Sequence, residues 1–181
     1  MTPEQHVLAW EELHGVTASG LVRRWLRLVL GLSRPLAGVP AAVVTATGLV
    51  VTLVALVVPL PVAAVCVLLA GVLDGVDGCV AVLRGSASDR GRLLDHSVDR
   101  VGEVVFGVLL WRAGAPLWLA ALSVVLMLAV EALRRGPVVT VGERPVRVLF
   151  TASALLVWPV LWTGALVVLS AVALGQVVPR S

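Results

Sequence analysis

Residues 62–111 read VAAVCVLLAGVLDGVDGCVAVLRGSASDRGRLLDHSVDRVGEVVFGVLLW. Two apolar stretches flank a short polar link, and four aspartates, Asp74, Asp77, Asp95 and Asp99, stand where the stretches meet it. About 20 helical residues cross a hydrocarbon core, so residues 62–83 and 92–111 are predicted as membrane spans. An ionisable group inside a span is costly and marks function by default. Asp74 and Asp77 are three residues apart and Asp95 and Asp99 four apart, which puts each pair on one helix face. The short link predicts antiparallel neighbouring helices, with the two pairs facing each other at one depth.

Outward from this centre, further uncharged runs predict spans near 40–58 and 116–133. Pro59 and Pro61 separate the first two spans, and Gly114 to Pro116 separates the third from the fourth. Residues 148–179 carry no charge and exceed one ordinary span, with Trp158, Pro159 and Gly164 offering a turn. The fold class expected is therefore all-α with six transmembrane helices.

The N-terminal segment, residues 1–38, differs from the membrane unit expected over 39–179. Thr2, Pro3 and Gln5 predict a capped helix running to about His14. Between Leu21 and Arg34 the arginines Arg23, Arg24, Arg27 and Arg34 share one side, while Leu21, Val22, Trp25, Leu28, Val29 and Leu32 fill the other. Such a pattern predicts an amphipathic helix lying on the membrane. Charges throughout this segment argue against a cleavable signal, so the mature chain is expected to start at Met1.

Composition agrees. The 181 residues have a mean hydropathy of +1.03 and are 59% hydrophobic, more than a soluble domain's usual share. All 14 basic residues are arginine, and the isoelectric point is near 10.1. No polar domain exists to carry a basic groove, which excludes nucleic acid in favour of the anionic leaflet surface. Cys66 and Cys79 lack metal or disulfide spacing and are expected to be small core residues. With the N-terminus inside, arginines 23, 24, 27, 34, 84, 90, 92, 134, 135, 144, 147 and 180 all fall on the cytoplasmic side of six spans, and only Arg112 falls outside. A multi-pass protein of the cell membrane, with its acids at the cytoplasmic face, is the expected arrangement. Trp111, Trp118 and Trp158 would mark the outer interface.

Four carboxylates converging in a low-dielectric place repel unless a cation neutralises them. A hard divalent ion with oxygen ligands, Mg²⁺ or Mn²⁺, suits them, and two ions about 4 Å apart suit phosphoryl chemistry. Gly78 and Ala81 share the face of Asp74 and Asp77, and Gly91 and Gly102 flank the other pair. Small residues here serve either close helix packing or room for a ligand against bare backbone.

Asp74, Asp77, Gly78, Ala81, Gly91, Asp95 and Asp99 reproduce the pattern DxxDGxxAR, eight residues, GxxxDxxxD. In this the chain resembles the CDP-alcohol phosphotransferase family, also called CDP-alcohol phosphatidyltransferases, integral membrane phospholipid synthases. The resemblance implies transfer of a substituted phosphate from a CDP-alcohol, commonly CDP-diacylglycerol, to an acceptor hydroxyl with release of CMP. It implies metal ligation by Asp74, Asp77, Asp95 and Asp99, with Asp99 also the general base. Thr45, Gly78, Ala81, Arg84 and Gly91 are then the candidate nucleotide-binding residues, and a homodimer is expected by the same likeness. Two positions depart from the pattern: Val82 replaces the arginine after the alanine, with Arg84 two residues on as a possible substitute, and Ala41 and Ala42 stand where an amide or acid often precedes Thr45.

Arg134, Arg135, Arg144 and Arg147 crowd the fourth and fifth spans at the cytoplasmic side, and Arg100 follows Asp99. They are either ordinary membrane anchoring or a pocket for a phosphorylated acceptor such as glycerol 3-phosphate or inositol phosphate, since arginine forks onto phosphate. Glu131 with Arg134 resembles a motif found at this place in similar proteins. Glu103 lies one turn beyond Asp99, and His96 is expected as a hydrogen-bonding neighbour rather than a ligand. Two other readings compete: a catalytically silent relative keeping a structural metal cluster, and a divalent-cation transporter. The acids gather at one membrane face without a polar ladder to the other, which counts against transport.

Overall fold

The computed structural model describes residues 2–14, 17–18, 20–86, 89–134, 140 and 144–178. Among them are eight helices and no strand: α1 (Pro3–His14), α2 (Gly20–Ser33), α3 (Ala41–Val54), α4 (Leu60–Leu83), α5 (Asp89–Arg112), α6 (Leu117–Leu133), α7 (Arg144–Leu156) and α8 (Pro159–Val177). Pro40, Pro59, Pro116 and Pro159 stand at the starts of α3, α4, α6 and α8, where a missing N–H costs nothing. The start of α1 is the expected capping box. Gln5 N–H donates to Thr2 Oγ1 at 3.2 Å, and Thr2 N–H donates to Gln5 Oε1 at 2.8 Å. Glu11 then ties α1 to α2, accepting from Ala18 N–H at 2.9 Å and from the Arg23 guanidinium at 2.8 Å.

Helix α2 is amphipathic as predicted. Val29 and Leu30 are buried against Val76 and Val80 of α4, while Arg24 and Arg27 remain exposed. The Trp25 and Val29 side chains come so close to Gly75 that a Cβ there would meet them at 3.2 Å.

Helices α3, α4, α7 and α5 form a ring in which each packs on the next, with α4 and α5 at opposite corners. The α6 and α8 helices complete the bundle, α6 against α5 and α8, and α8 against α7. Glycines allow the closest approaches: a Cβ at Gly71 would meet Val148 of α7 at 2.8 Å, and one at Gly107 would run into Val124 of α6. The expected facing of α4 and α5 holds at their acids, where Asp74 meets Asp95 and Asp99 within 4.8 Å, and both helices contribute to one apolar core. Their backbones are packed more closely on α3 and α7 than on each other.

Element boundaries follow the expected spans within a few residues, with two differences. Helix α7, where the fifth span is expected, starts at Arg144, ahead of the uncharged stretch that begins at 148, because the amphipathic run RPVRV is helical too. The break before α8 falls at Val157 and Trp158, the latter left-handed at φ 48°, whereas Gly164 is inside α8. By length and apolar composition, α4 and α8 can each cross a hydrocarbon core; α3 and α6 are apolar but shorter.

Candidate functional site

The ring of α3, α4, α7 and α5 shares an apolar core that includes Val67, Phe106, Leu109 and Ala152, and further along it gathers polar side chains in its interior. Asp74, Asp95 and Asp99 each direct a carboxylate oxygen there, all within 4.8 Å of one another. The two helices thus meet through their acids rather than through packed backbones. Asp77 stands one turn along α4 and is held differently: buried, it accepts a hydrogen bond from Thr45 Oγ1 at 2.6 Å. Ala41 O lies 3.1 Å from the same hydroxyl, whose one hydrogen goes to the shorter contact with Asp77.

Three carboxylates at this separation are a fitting donor set for a hard divalent cation, which takes oxygen ligands. The charge they share is met by Arg144 at the start of α7, whose Nε lies 3.4 Å from Asp74 and whose Nη1 ion-pairs with Asp99. Arg144 is therefore placed between α4 and α5.

Beside the acids opens a cleft of about 420 Å³ bounded by α3, the C-terminal half of α4 and the first turns of α5. Asp77 and Asp95 are at its acidic end; Thr45, Gly78, Ala81, Ser86, Arg90 and Gly91 line it. Four of the five nucleotide candidates, Thr45, Gly78, Ala81 and Gly91, are thus brought together. A Cβ on Gly78 would meet nothing within 4 Å, so this glycine opens space, whereas Gly71 and Gly107 serve helix contact. The fifth candidate, Arg84, is elsewhere: its guanidinium donates to Ala37 O at 3.0 Å, closing the turn between α2 and α3. Val82 lines the cleft in the place of the pattern's arginine, and Ala41 and Ala42 line its α3 wall.

The acceptor candidates separate into groups. Arg147 is buried and forms a 3.0 Å ion pair with buried Glu103. Glu131 of α6 lies at 3.9 Å from Arg100, 3.7 Å from Arg134 and 3.8 Å from Arg147. Arg134 also reaches Thr140 Oγ1 at 3.3 Å. Arg135 lies outside the described residues. One acid thus gathers three arginines from three helices or their ends, next to Arg144 and the aspartates. Sequence reasoning named Glu131 but not this role, and it missed Arg90 and Ser86. The signal for Arg90 was its position directly before Gly91 in the pattern. His96 is exposed on α5.

The described residues thus form an all-helical bundle with clustered acids beside a cleft. The model of the CDP-alcohol phosphatidyltransferase family matches residues 28–177, and the chain belongs to that family of transferases. No curated protein and no solved structure matches it. Together with the apolar helices α4 and α8, the membership points to a membrane protein.

Proposed function

We propose that this chain is a six-span membrane enzyme that transfers the phosphatidyl group of CDP-diacylglycerol, or the substituted phosphate of a similar CDP-alcohol, to a small phosphorylated alcohol. Glycerol 3-phosphate or inositol phosphate is the acceptor, and CMP leaves, in phospholipid biosynthesis. The catalytic unit is residues 39–179, with residues 1–38 lying on the cytoplasmic surface. The observation that carries this reading is the meeting of Asp74, Asp95 and Asp99 within 4.8 Å beside a 420 Å³ cleft lined by Gly78, Ala81 and Gly91.

In this reading Asp74, Asp77, Asp95 and Asp99 hold two divalent ions, Mg²⁺ or Mn²⁺. When bound, these supply the charge neutralisation that phosphoryl transfer requires. Thr45 fixes the carboxylate of Asp77 through its 2.6 Å hydrogen bond. Gly78 leaves the cleft wall bare, so that the nucleotide approaches backbone there. Asp99 accepts the proton of the acceptor hydroxyl, whose oxygen bonds to the phosphorus bearing the alcohol. The bond from that phosphorus to the oxygen of CMP breaks, and the electron pair leaves with CMP. Arg100, Arg134 and Arg144 face the acceptor phosphate, with Glu131 setting the positions of Arg100 and Arg134, and Arg135 is assigned to the same role from the sequence alone. Arg147, paired with Glu103, shapes that pocket from below.

The test is CMP release from CDP-diacylglycerol by purified protein with Mg²⁺ or Mn²⁺, each acceptor offered separately, beside Asp99→Asn. Metal-dependent release with one acceptor, reduced at least about 100-fold by Asp99→Asn, supports the reading. A second reading, a catalytically silent relative, draws on the apolar Val82 and Ala42 in the cleft wall. It predicts no release with any acceptor from protein that still binds metal.

A further inference from the structure

The cleft has lost one cation and holds another. Val82 occupies the position of the pattern's arginine, lines the cleft and is 55% exposed, so the wall of α4 offers no positive charge there. Arg84 does not replace it, because its guanidinium is turned to Ala37 O on the other side. Across the cleft, on the first turn of α5, Arg90 lines the opposite wall next to Gly91. Among the described residues lining this cleft Arg90 is the only cation, and its side chain is exposed with no carboxylate paired to it. The other charged lining residues are Asp77 and Asp95, which repel a phosphate.

We propose that Arg90 binds the diphosphate of the nucleotide donor in this chain, supplying from α5 the contact that Val82 removes from α4. This rests on the reading of the cleft as the nucleotide pocket. A guanidinium forks onto two phosphate oxygens, and one placed across the cleft from Gly78 leaves the acids free for cations. Ser86, just beyond the end of α4, adds a hydroxyl to the cleft lining.

The test is calorimetric binding of CDP with Mg²⁺, and of cytidine by competition, to the full chain in lipid nanodiscs. Wild type is compared with Arg90→Ala, Arg90→Lys and the double variant Arg90→Ala/Val82→Arg. Arg90→Ala is expected to weaken CDP binding about ten-fold or more and to leave cytidine binding unchanged, since cytidine has no phosphate. Arg90→Lys should recover part of the loss, and the double variant most of it. Unchanged CDP affinity in Arg90→Ala, or equal losses for CDP and cytidine, overturns the proposal while leaving the nucleotide pocket in place. A wild-type protein that binds neither ligand overturns the nucleotide reading and this assignment with it.

Discussion

Two glycines of the bundle show how one residue type serves opposite ends. Gly71 lets α4 touch α7, and the 2.8 Å approach of its would-be Cβ to Val148 leaves no room for a methyl group. Gly71→Ala should therefore destabilise the protein by about 1–3 kcal/mol, seen as a lower melting temperature in detergent. Gly78→Ala should melt within a degree or two of wild type, because nothing lies within 4 Å of the added carbon, yet it should weaken CDP binding by filling the cleft. Equal stability losses in both variants would contradict this division. Thr45→Val removes the 2.6 Å hydrogen bond to buried Asp77, a charge-assisted bond of about 1.5–3 kcal/mol. Metal affinity measured by calorimetry should fall, and Thr45→Ser should retain it. Individual acids were legible because an Asp in an apolar run has few innocent explanations, and their spacing put them on defined faces. Arg90, Arg84 and Glu131 were not, since the sequence gives an arginine's position but not the direction of its long side chain.

Among the helices, starts were easiest to read where a proline or a capping box sets them, as at α1, α4, α6 and α8. Packing partners were not legible. Sequence adjacency suggested that α4 and α5 face each other, as their acids do, but the close glycine-mediated contacts of α4 to α7 and of α5 to α6 depend on which surfaces meet in three dimensions. Arg112, at the C-terminus of α5, looked like a stray outer charge. Its guanidinium donates to Ala55 O at 3.1 Å, to Leu56 O at 2.9 Å and to Val58 O, tying the end of α5 to the turn between α3 and α4. Arg112→Met keeps the stem and removes the donors, so the turn loses its anchor. Water replaces part of what is lost at this exposed end, and the expected cost is roughly 1–2 kcal/mol in thermal unfolding. A variant as stable as wild type would show that the turn holds itself.

At the scale of the whole molecule, a buried ion pair joins α5 to α7. Arg147 and Glu103 are 6% and 5% exposed, so each depends on the other's charge. Arg147→Met should cost roughly 3–5 kcal/mol by leaving Glu103 buried beside a neutral group, and adding Glu103→Leu should recover much of it. The proposed six-span arrangement makes a sharper demand. Val57, in the turn between α3 and α4, is 82% exposed, and Ser86, beyond the C-terminus of α4, is exposed as well. Only α4 separates them, with 24 residues and no basic side chain within it. If α4 crosses the bilayer with the N-terminus of the chain inside, single cysteines at these two positions must lie on opposite sides. In a background with Cys66→Ala and Cys79→Ala, an impermeant maleimide added to intact cells should label Val57→Cys and leave Ser86→Cys unlabelled until the membrane is opened. Labelling of Ser86→Cys alone would invert the topology and place the aspartate cluster at the outer face, away from a cytoplasmic nucleotide supply. Labelling of both would remove α4 from the list of spans.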